Sequence, residues 1–519
     1  MTTQALVKEK PLLPSDVRRS NAAEQFLEDI AEEIQIPESR YEEAANRYKS
    51  LKTWLTRNES ILKDFNPEVS LQGSFKLGTV IKPLCEEEYD IDLVCTTALT
   101  KSSITQEHLK AMLGTEIRSY AKAHSMQNPE SKRRCWRVQY AQDAQFHLDA
   151  LPAIPESEQP RLLLEARGVN KDLTSSAIAI TDEEHQQYRN ISDDWPSSNP
   201  EGYSRWFYGR MQVIFHARRM VLAEAAGKRE EEIPEYKVKT PLQSAIQILK
   251  RHRDMTHDGE IEDRPISIII TTLAARAYGQ ETTISVALYS ILSGMENYIE
   301  NRNGEDWISN PTNPQENFAD KWKDFPIRRE KFFEWLERAK ADFIELARLT
   351  EQREIAESMS PVLGLRLVEQ AINKKSQLRT NRKPIFLMHL LNPPHRKKPE
   401  WPQEISKKVE IKAEVRRNGF RKQPLESDST ALPTHCDLFF TATTNVPEPY
   451  EIYWQVVNTG AQAKDVGQLR GGFDFGTAQL GKNIRKESTR YKGSHSVECF
   501  IIKNDVCVAR SGQFVVNIR

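Results

Sequence analysis

Three aspartates are spaced so that they can hold a metal ion. Asp90 and Asp92 lie one residue apart in the run Tyr-Asp-Ile-Asp-Leu-Val, whose alternation predicts a β-strand. Both carboxylates then point to one face, where they raise each other's proton affinity unless a cation lies between them. Asp149 lies in a second strand-like run, Phe-His-Leu-Asp-Ala-Leu. Mg²⁺ is the natural cation for this set, because it prefers hard oxygen ligands and substrate phosphates.

A glycine-serine turn precedes the first of these strands. A short β-type run ends at Leu71, and Gln72, Gly73 and Ser74 follow it, with Ser74 sixteen residues before Asp90. The backbone N–H groups of a sharp turn and a serine hydroxyl can together bind a phosphate. We therefore expect the phosphates of a substrate to lie near the aspartates.

The elements that position these residues fall into successive parts of the chain. Prolines, polar loops and changes of apolar period predict the boundaries. The predicted parts are an extended arm at 1–18, a first lobe at 19–200, a helical second lobe at 201–391, a linker at 392–402 and an all-β domain at 403–519.

Helical periodicity dominates the first two lobes. It predicts helices at residues 21–34, 105–123, 206–226, 266–278, 284–299, 329–349 and 361–371. Ser39 and Glu42 form a capping-box pattern at the start of a long spine helix, and Thr240 with Pro241 starts the helix that carries Lys250. Residues 266–278 are also compatible with a strand, but their length and alanines favour a helix. The sequence of residues 305–326 predicts a loop.

Near residue 409 the apolar period changes from helical to alternating. The alternating segments lie at 409–415, 436–444, 450–457, 496–502, 506–509 and 513–518, with turn residues between them. Several short strands at such intervals predict a small β-sandwich.

Composition excludes several classes of protein. The 519 residues carry a net charge of −1, so the chain has no global nucleic-acid signature. No apolar run approaches the roughly 20 residues that a membrane-spanning helix needs. The six cysteines form no Cys-x-x-Cys pair, which argues against a zinc site or a disulfide framework and favours the cytoplasm. Lys132, Arg133, Arg134 and Arg137 form a basic cluster, which we interpret as a solvated charge run rather than a nucleotide contact.

The motifs as a whole carry a family resemblance. Gln72-Gly-Ser-Phe-Lys-Leu-Gly-Thr79, followed by the Asp-x-Asp strand and Asp149, resembles the DNA polymerase β-type nucleotidyltransferases. The full sequence of these motifs resembles, more narrowly, the bacterial cyclic-oligonucleotide synthases of anti-phage signalling. These are relatives of cyclic GMP-AMP synthase and oligoadenylate synthase. Near the end of the chain, the segments 450–460, 469–473 and 491–495 resemble the C-terminal sensor domain fused to some of these synthases. The resemblance implies an α+β fold: a polymerase β-like nucleotidyltransferase lobe and a helical lobe, followed by a small all-β immunoglobulin-like sandwich.

The same resemblance implies an activity and the residues that perform it. Nucleoside triphosphates would be joined into a cyclic di- or oligonucleotide with release of pyrophosphate, and a downstream effector would receive the product. The implied catalytic and metal-binding residues are Asp90, Asp92 and Asp149, with Mg²⁺, or Mn²⁺ in its place. The implied nucleotide-binding residues are Gln72, Gly73, Ser74, Lys250, Ser267 and Asp320. An unknown activating ligand would bind the C-terminal domain, and no membrane is involved.

Two other functions remain open at this stage. The chain can be a nucleotidyltransferase that modifies tRNA or a protein, or a catalytically silent module that senses nucleic acid. The three aspartates weigh against a silent module, and a modifying enzyme would need a macromolecular acceptor. Base choice, linkage, ring size, oligomeric state and activating signal cannot be read from the residues. Because all predicted chemistry lies before residue 270, we expect residues 403–519 to regulate and not to catalyse.

Overall fold

The structure is a computed structural model that describes residues 21–84, 89–139, 146–257, 261–380, 393–416, 422–459, 461–476 and 481–519. The predicted arm at 1–18 and the predicted lobe boundary at residue 391 lie outside the described residues.

The first part of the chain builds a mixed sheet with helices around it. Its helices are α1 Asn21–Ile34, α2 Glu38–Thr56, α3 Gly73–Leu77, α4 Gln106–Ala123, α5 Glu158–Ala166 and α6 Lys171–Thr174. Its strands are β1 Glu68–Leu71, β2 Tyr89–Thr96, β3 Glu130–Ser131, β4 Trp136–Gln139, β5 Phe146–Pro155, β6 Ile178–Ile180 and β7 Ser197–Ser198. The sheet order is β1-β2-β5-β4-β3, with β6 beside β5 and β7 beside β6.

Alternation along β2 and β5 determines which face of the sheet is buried. Tyr89, Ile91 and Leu93 point into the core of this lobe, together with Phe146 and Leu148 of β5. The aspartates at positions between them therefore point to the opposite face. The spine helix α2 and helix α4 contribute to the same core and cover its far side. The buried face thus anchors the two strands that carry the predicted metal ligands.

The second lobe is mainly helical. Its helices are α7 Pro200–Ala226, α8 Pro241–Thr256, α9 Ser267–Ala277, α10 Ile284–Gly294, α11 Lys321–Asp324, α12 Pro326–Arg348, α13 Gln352–Leu363 and α14 Leu365–Thr380. Short strands are β8 Glu300–Arg302, β9 Glu305–Trp307, β10 Ser309–Asn310 and β11 Asn313–Asn317. Short 3₁₀ helices lie at Glu230–Glu232, Glu235–Lys237, Ile261–Asp263 and Met295–Tyr298, and one more lies in the first lobe at Lys63–Phe65. Within the described residues, no helix combines the length and apolarity that crossing a membrane requires.

Helix α1 belongs to the second lobe, although the sequence assigned it to the first. Its buried Phe26, Leu27 and Ile30 join the core of the helical lobe. There α1 packs against α8 and α14, which lie far away in the chain. The apolar stripe predicted the helix correctly, but not the partner that covers it, because periodicity carries no information about long-range packing.

Other predicted elements are corrected in their details. No capping box forms at Ser39 and Glu42, because the helix begins at Glu38 after Pro37. Gly364, with φ of +103°, ends one helix before Leu365 starts the next, so the helix predicted at 361–371 is two helices. Residues 305–326 contain short strands as well as loop. The ambiguous segment 266–278 is confirmed as a helix, and Ser267 is its first residue.

The C-terminal domain contains two antiparallel sheets. Its strands are β12 Val409–Arg416, β13 Gln423–Leu425, β14 Asp437–Thr444, β15 Glu451–Val457, β16 Phe473–Phe475, β17 Ile484–Ser488, β18 Gly493–Lys503, β19 Val506–Arg510 and β20 Phe514–Ile518, with the short helix α15 Ala461–Asp465. One sheet has the order β13-β12-β14-β17, and the other has β16-β15-β18-β19 with β20 also beside β18. Residues of both sheets share one apolar core around Trp454, as in a sandwich.

The predicted linker at 392–402 packs on this sandwich over its described part. The Lys397 N–H donates to the Gly471 carbonyl at 2.9 Å, and Arg396 forms a buried ion pair with Glu498. The ring of Trp401 lies 4.5 Å from that of Tyr453, centroid to centroid. The proline-rich, basic composition predicted a linker, but the described part of this segment contacts the sandwich through its backbone and through the side chains of Arg396 and Trp401.

Candidate active site

Parallel pairing of β2 with β5 brings the three predicted aspartates to one face of the first lobe. Asp92 is the register partner of Asp149, and Asp90 is the partner of His147. In a parallel pair, register partners project to the same side of the sheet. The four side chains therefore form a single polar group, which we call the acidic cluster.

The acidic cluster has the composition of a divalent-cation site. Single ligand atoms of Asp90, His147 and Asp149 all lie within 4.8 Å of one another. The His147 Nε2 atom contacts a carboxylate oxygen of Asp90. Carboxylates suit Mg²⁺ and Mn²⁺, and a neighbouring imidazole commonly orients a ligating carboxylate. The residues present therefore fit a hard divalent cation.

An arginine balances part of this negative charge. The Arg137 guanidinium donates to both carboxylate oxygens of Asp149, at 2.8 and 2.7 Å, and lies 3.9 Å from Asp90. The hydrogen bonds to Asp149 raise the pKa of Arg137 above its ordinary value. Arg137 is thus part of the site, and its assignment to a solvated charge run is wrong.

The charged form of Asp92 is disfavoured by its surroundings. Burial, together with the charges of Asp90 and Asp149, raises its pKa to about 6 against the opposing effect of His147 and Arg137. On its other side Asp92 touches the turn before α3. A Cβ added to Gly73 would lie 2.1 Å from its Oδ2 atom, and Gly73 has φ of +65°. Glycine is therefore required here both for backbone conformation and for space.

The glycine-serine turn is attached directly to β2, the strand that carries Asp90 and Asp92. The Gln72 N–H donates to the Asp92 backbone carbonyl at 2.9 Å, and α3 then begins at Gly73. The Thr79 N–H donates to the Ser74 carbonyl at 3.0 Å, which closes the short helix. Ser74 is half-buried and lines the cleft beside Asp90 and Asp92. The predicted phosphate turn and the acidic cluster are therefore neighbours.

Helix α8 of the second lobe holds the segment that follows this turn. Four of its side chains donate to backbone carbonyls within residues 77–82: Gln243 to Leu77 at 2.9 Å, Gln247 to Val80 at 2.6 Å, Lys250 to Thr79 at 3.1 Å and Arg251 to Lys82 at 2.6 Å. The spacing of these positions places them on neighbouring turns of the helix. This contact fixes the second lobe against the turn of the first.

Lys250 and Ser267 lie on neighbouring helices and both line the cleft. Burial, together with the charge of nearby Arg253, lowers the pKa of Lys250 to about 7. The Arg253 guanidinium donates to the Ser267 hydroxyl at 2.9 Å. A buried ammonium whose pKa is depressed in this way is stabilised by an arriving anion.

The cleft between the lobes is large and has a third contributor. Its volume is about 1090 Å³, slightly above the roughly 300–1,000 Å³ typical of small-molecule sites. Gly73, Ser74, Asp90, Asp92, Lys250 and Ser267 line it. Residues of the C-terminal domain between Gln423 and Cys436 also line it. The domain expected only to regulate therefore forms part of the wall.

Asp320 is not brought into this group. It precedes α11, its carboxylate lies 4.0 Å from the Lys321 ammonium, and it does not line the cleft.

Two residues of the site, His147 and Arg137, were not predicted from the sequence as functional residues. His147 could have been recognised by alternation, because it pairs with Asp90 across the same strands that hold the aspartates. The contact of Arg137 depends on the β4–β5 pairing and had no comparable signal.

A sheet that carries paired carboxylates beside a phosphate-type turn, facing a helical lobe across a cleft, defines a nucleotidyltransferase. Two family models match this chain. Residues 67–152 match the nucleotidyltransferase domain of the DncV-like cyclic GMP-AMP synthases. Residues 391–519 match the adenylyl/guanylyl and SMODS C-terminal sensor domain.

Two relatives show to which family of nucleotidyltransferases the chain belongs. The c-di-GMP synthase of Roseivirga ehrenbergii is 31% identical over 342 residues, which cover 63% of this chain and 83% of that protein. The cyclic dinucleotide synthase CdnG of Bradyrhizobium diazoefficiens is 20% identical over 371 residues, 68% of this chain and 82% of that one. The chain belongs to the bacterial cyclic-oligonucleotide synthases, nucleotidyltransferases that make cyclic nucleotide products.

A solved structure agrees on the fold. The CdnG structure from Bradyrhizobium diazoefficiens, determined in complex with GTP, superimposes with a TM-score of 0.52 at 19% identity. The match covers 69% of this chain and 100% of that one. The polymerase β-like lobe and helical lobe expected from the sequence are thereby confirmed.

Proposed function

We propose that this enzyme joins nucleoside triphosphates into a cyclic di- or oligonucleotide in a magnesium-dependent reaction that serves anti-phage defence. A ribose hydroxyl of one nucleotide attacks the α-phosphate of another. A new P–O bond forms, the bond to the β-phosphate breaks, and pyrophosphate leaves. A second transfer with the ends exchanged closes the ring. The common face of Asp90, Asp92 and Asp149 is the observation that carries this proposal.

In this proposal Asp90, Asp92 and Asp149 would hold divalent cations, Mg²⁺ or in its place Mn²⁺, with Asp149 on the side of the attacking hydroxyl. The bound cations would neutralise charge that develops on the attacking and leaving oxygens. His147 orients the Asp90 carboxylate through their contact. Arg137 holds Asp149 in place through its paired hydrogen bonds.

The nucleotide-binding residues divide between the two lobes. Gln72, Gly73 and Ser74 receive the β- and γ-phosphates, while Lys250 and Ser267 approach from the helical lobe. The hydrogen bond from Lys250 to Thr79 lets the lysine also hold the turn. Asp320 would need a movement of its segment to reach the same nucleotide. GTP is the first substrate to test, because the relative of 31% identity is named as a c-di-GMP synthase.

The wider setting follows from the same family. The C-terminal domain binds an activating ligand, and a downstream effector receives the product. The enzyme acts in the cytoplasm, where nucleoside triphosphates are available, and needs no membrane. The first and second lobes bind substrate, and the sandwich begins near residue 393, where the chain packs on its sheet.

The test is synthesis from nucleotides alone. The full-length protein is incubated with all four nucleoside triphosphates and Mg²⁺, pyrophosphate is measured, and the product mass is determined. A cyclic product whose formation stops on chelation supports the proposal. Transfer only to added tRNA or protein would instead identify a modifying enzyme. Binding of nucleic acid with no pyrophosphate release under any condition would identify a silent sensor.

A further inference from the structure

One stretch of the C-terminal domain reaches into the catalytic body. We name residues 426–433, between β13 and β14, the cleft segment. The Thr430 hydroxyl donates to the Asp254 carbonyl at 2.9 Å, and the Ala431 N–H donates to the Met255 carbonyl at 2.6 Å. Asp254 and Met255 lie in the last turn of α8, where backbone carbonyls have no partner within their own helix. The cleft segment thus completes the end of α8.

The cleft segment is fixed from its other side as well. The Asp428 carboxylate accepts hydrogen bonds from the N–H groups of Leu365 and Arg366 at 2.9 and 2.7 Å, at the start of α14. It also accepts from the Asn517 side-chain amide in β20 at 2.9 Å. Asp428 is only 8% exposed. A single buried carboxylate therefore ties together the helical lobe, the cleft segment and the sandwich.

A chain of contacts connects the cleft segment to the predicted nucleotide contacts. Asp254, whose carbonyl bonds to Thr430, accepts with its carboxylate from Arg253 at 2.9 Å. Arg253 in turn donates to the Ser267 hydroxyl at 2.9 Å. One turn earlier on the same helix, Lys250 holds Thr79 beside the phosphate turn. A shift of the end of α8 would displace these groups together, since a helix moves as a rigid element.

The cleft segment also borders the space where nucleotides would bind. Glu426, Ser429, Thr430 and Pro433 line the same cavity as Ser74, Asp90 and Asp92. We propose that the cleft segment forms one wall of the nucleotide site and positions α8, so that substrate binding requires the C-terminal domain. Ser429 borders the substrate, and Thr430 is a positioning residue that acts through α8. This inference rests on the proposed function, whose active site it completes.

The experiment uses the full-length protein and two substitutions of different kinds. Ser429→Trp places a large side chain at the wall of the cavity. Thr430→Val keeps the shape but removes the hydrogen bond to Asp254. The same changes at the exposed Thr443, on β14 and away from the cleft, are the matched controls. Binding of non-hydrolysable GTP and ATP analogues with Mg²⁺ is measured by titration, with KM, kcat and the unfolding temperature of each variant.

We expect Ser429→Trp to weaken analogue binding more than tenfold, as expected when a bulky group fills part of a site. Thr430→Val should raise KM about three- to tenfold, the usual effect of one hydrogen bond, with kcat changed less than about twofold. Both Thr443 controls should match the wild type. A purely structural role for Thr430 would lower the unfolding temperature and leave KM unchanged, which would contradict the positioning role.

The outcomes separate this inference from the proposed function. Wild-type analogue affinity in both cleft-segment variants would overturn the inference even if synthesis is normal. If Ser429→Trp does not fold, the KM of Thr430→Val decides the matter. A wild-type protein that binds the analogues but makes no product, even with extract of phage-infected bacteria as a source of the activating ligand, would refute the proposed function. The binding data would still test whether the cleft segment forms a wall of the nucleotide site. If the wild-type protein binds neither analogue, both the inference about the cleft segment and the proposed function are overturned.

Discussion

Asp92 lies opposite Asp149 in the parallel pairing of β2 with β5, so two carboxylates from distant parts of the chain share one face of a sheet. Like charges placed side by side repel, and burial of Asp92 adds to the cost of its ionised form. Arg137 relieves Asp149 but does not pair with Asp92 among the contacts described here. A cation bound between the carboxylates would offset this repulsion, so we expect the stability of the site to depend on cation binding.

Asp90→Asn and Asp92→Asn should each reduce synthesis more than 100-fold, because each change removes a cation ligand that acts in the transition state. The unfolding temperature of metal-free protein should stay the same or rise, since a repulsive charge is lost. Product formation and thermal unfolding are measured side by side. Asp505→Asn, in the exposed turn before β19, is the control. Retention of a tenth of the activity by Asp90→Asn or Asp92→Asn would contradict the assignment of these residues as metal ligands.

Metal-free protein should lose stability as the pH rises through about 6. The pKa of Asp92 is about 6 in the folded protein and 3.8 in an unperturbed chain, so the folded state holds an extra proton between these values. The contribution of that proton to the free energy of unfolding is fully present below pH 3.8 and is lost as the pH rises through the pKa of the folded state.

The predicted fall in the free energy of unfolding with rising pH is checked by denaturant unfolding in the presence of a chelator at several pH values. Relative to Asp92→Asn, which cannot ionise, the wild type should become progressively less stable between about pH 4 and 6. Adding Mg²⁺ above pH 6 should reverse the loss in the wild type. A difference between the two proteins that does not change with pH would show that Asp92 titrates normally.

Gly73→Ala should abolish synthesis by displacing Asp92. The added Cβ would lie 2.1 Å from the Asp92 Oδ2 atom, and the left-handed backbone adds strain. Gly168→Ala is the matched control, because Gly168 has φ of +86° but nothing within 4 Å of an added Cβ. Both variants should lose about 1 kcal/mol of stability from the backbone. Only Gly73→Ala should lose activity, and equal activities would show that the carboxylate moves aside freely.

Lys250→Met should weaken nucleotide binding about tenfold or more, as expected for the loss of a charge-assisted hydrogen bond. Lys239→Met is its control. The Lys239 ammonium is half-buried and reaches the Gly78 carbonyl of the same turn at 3.4 Å, but it does not line the cleft. Both changes should cost similar stability. Binding of a non-hydrolysable GTP analogue is titrated, and equal affinities in the two variants would show that Lys250 only supports the turn.

Local pattern predicted much of the catalytic face. Asp90 and Asp92 share a face because a strand has a period of two, which needs no knowledge of the rest of the chain. The helix that begins at Ser267 and the change to alternating strands near residue 409 follow from apolar periodicity in the same way. These features depend on neighbouring residues only, and they agree with the structure for that reason.

Tertiary structure alone decided which of these elements meet. Arg137 reaches Asp149 because β4 pairs with β5, α1 enters the core of the second lobe, and Thr430 reaches the end of α8 from another domain. Such contacts join residues that are far apart in the chain. They are determined by the burial of apolar surface and the pairing of backbone groups in the whole molecule, which a single sequence read by local pattern does not reveal.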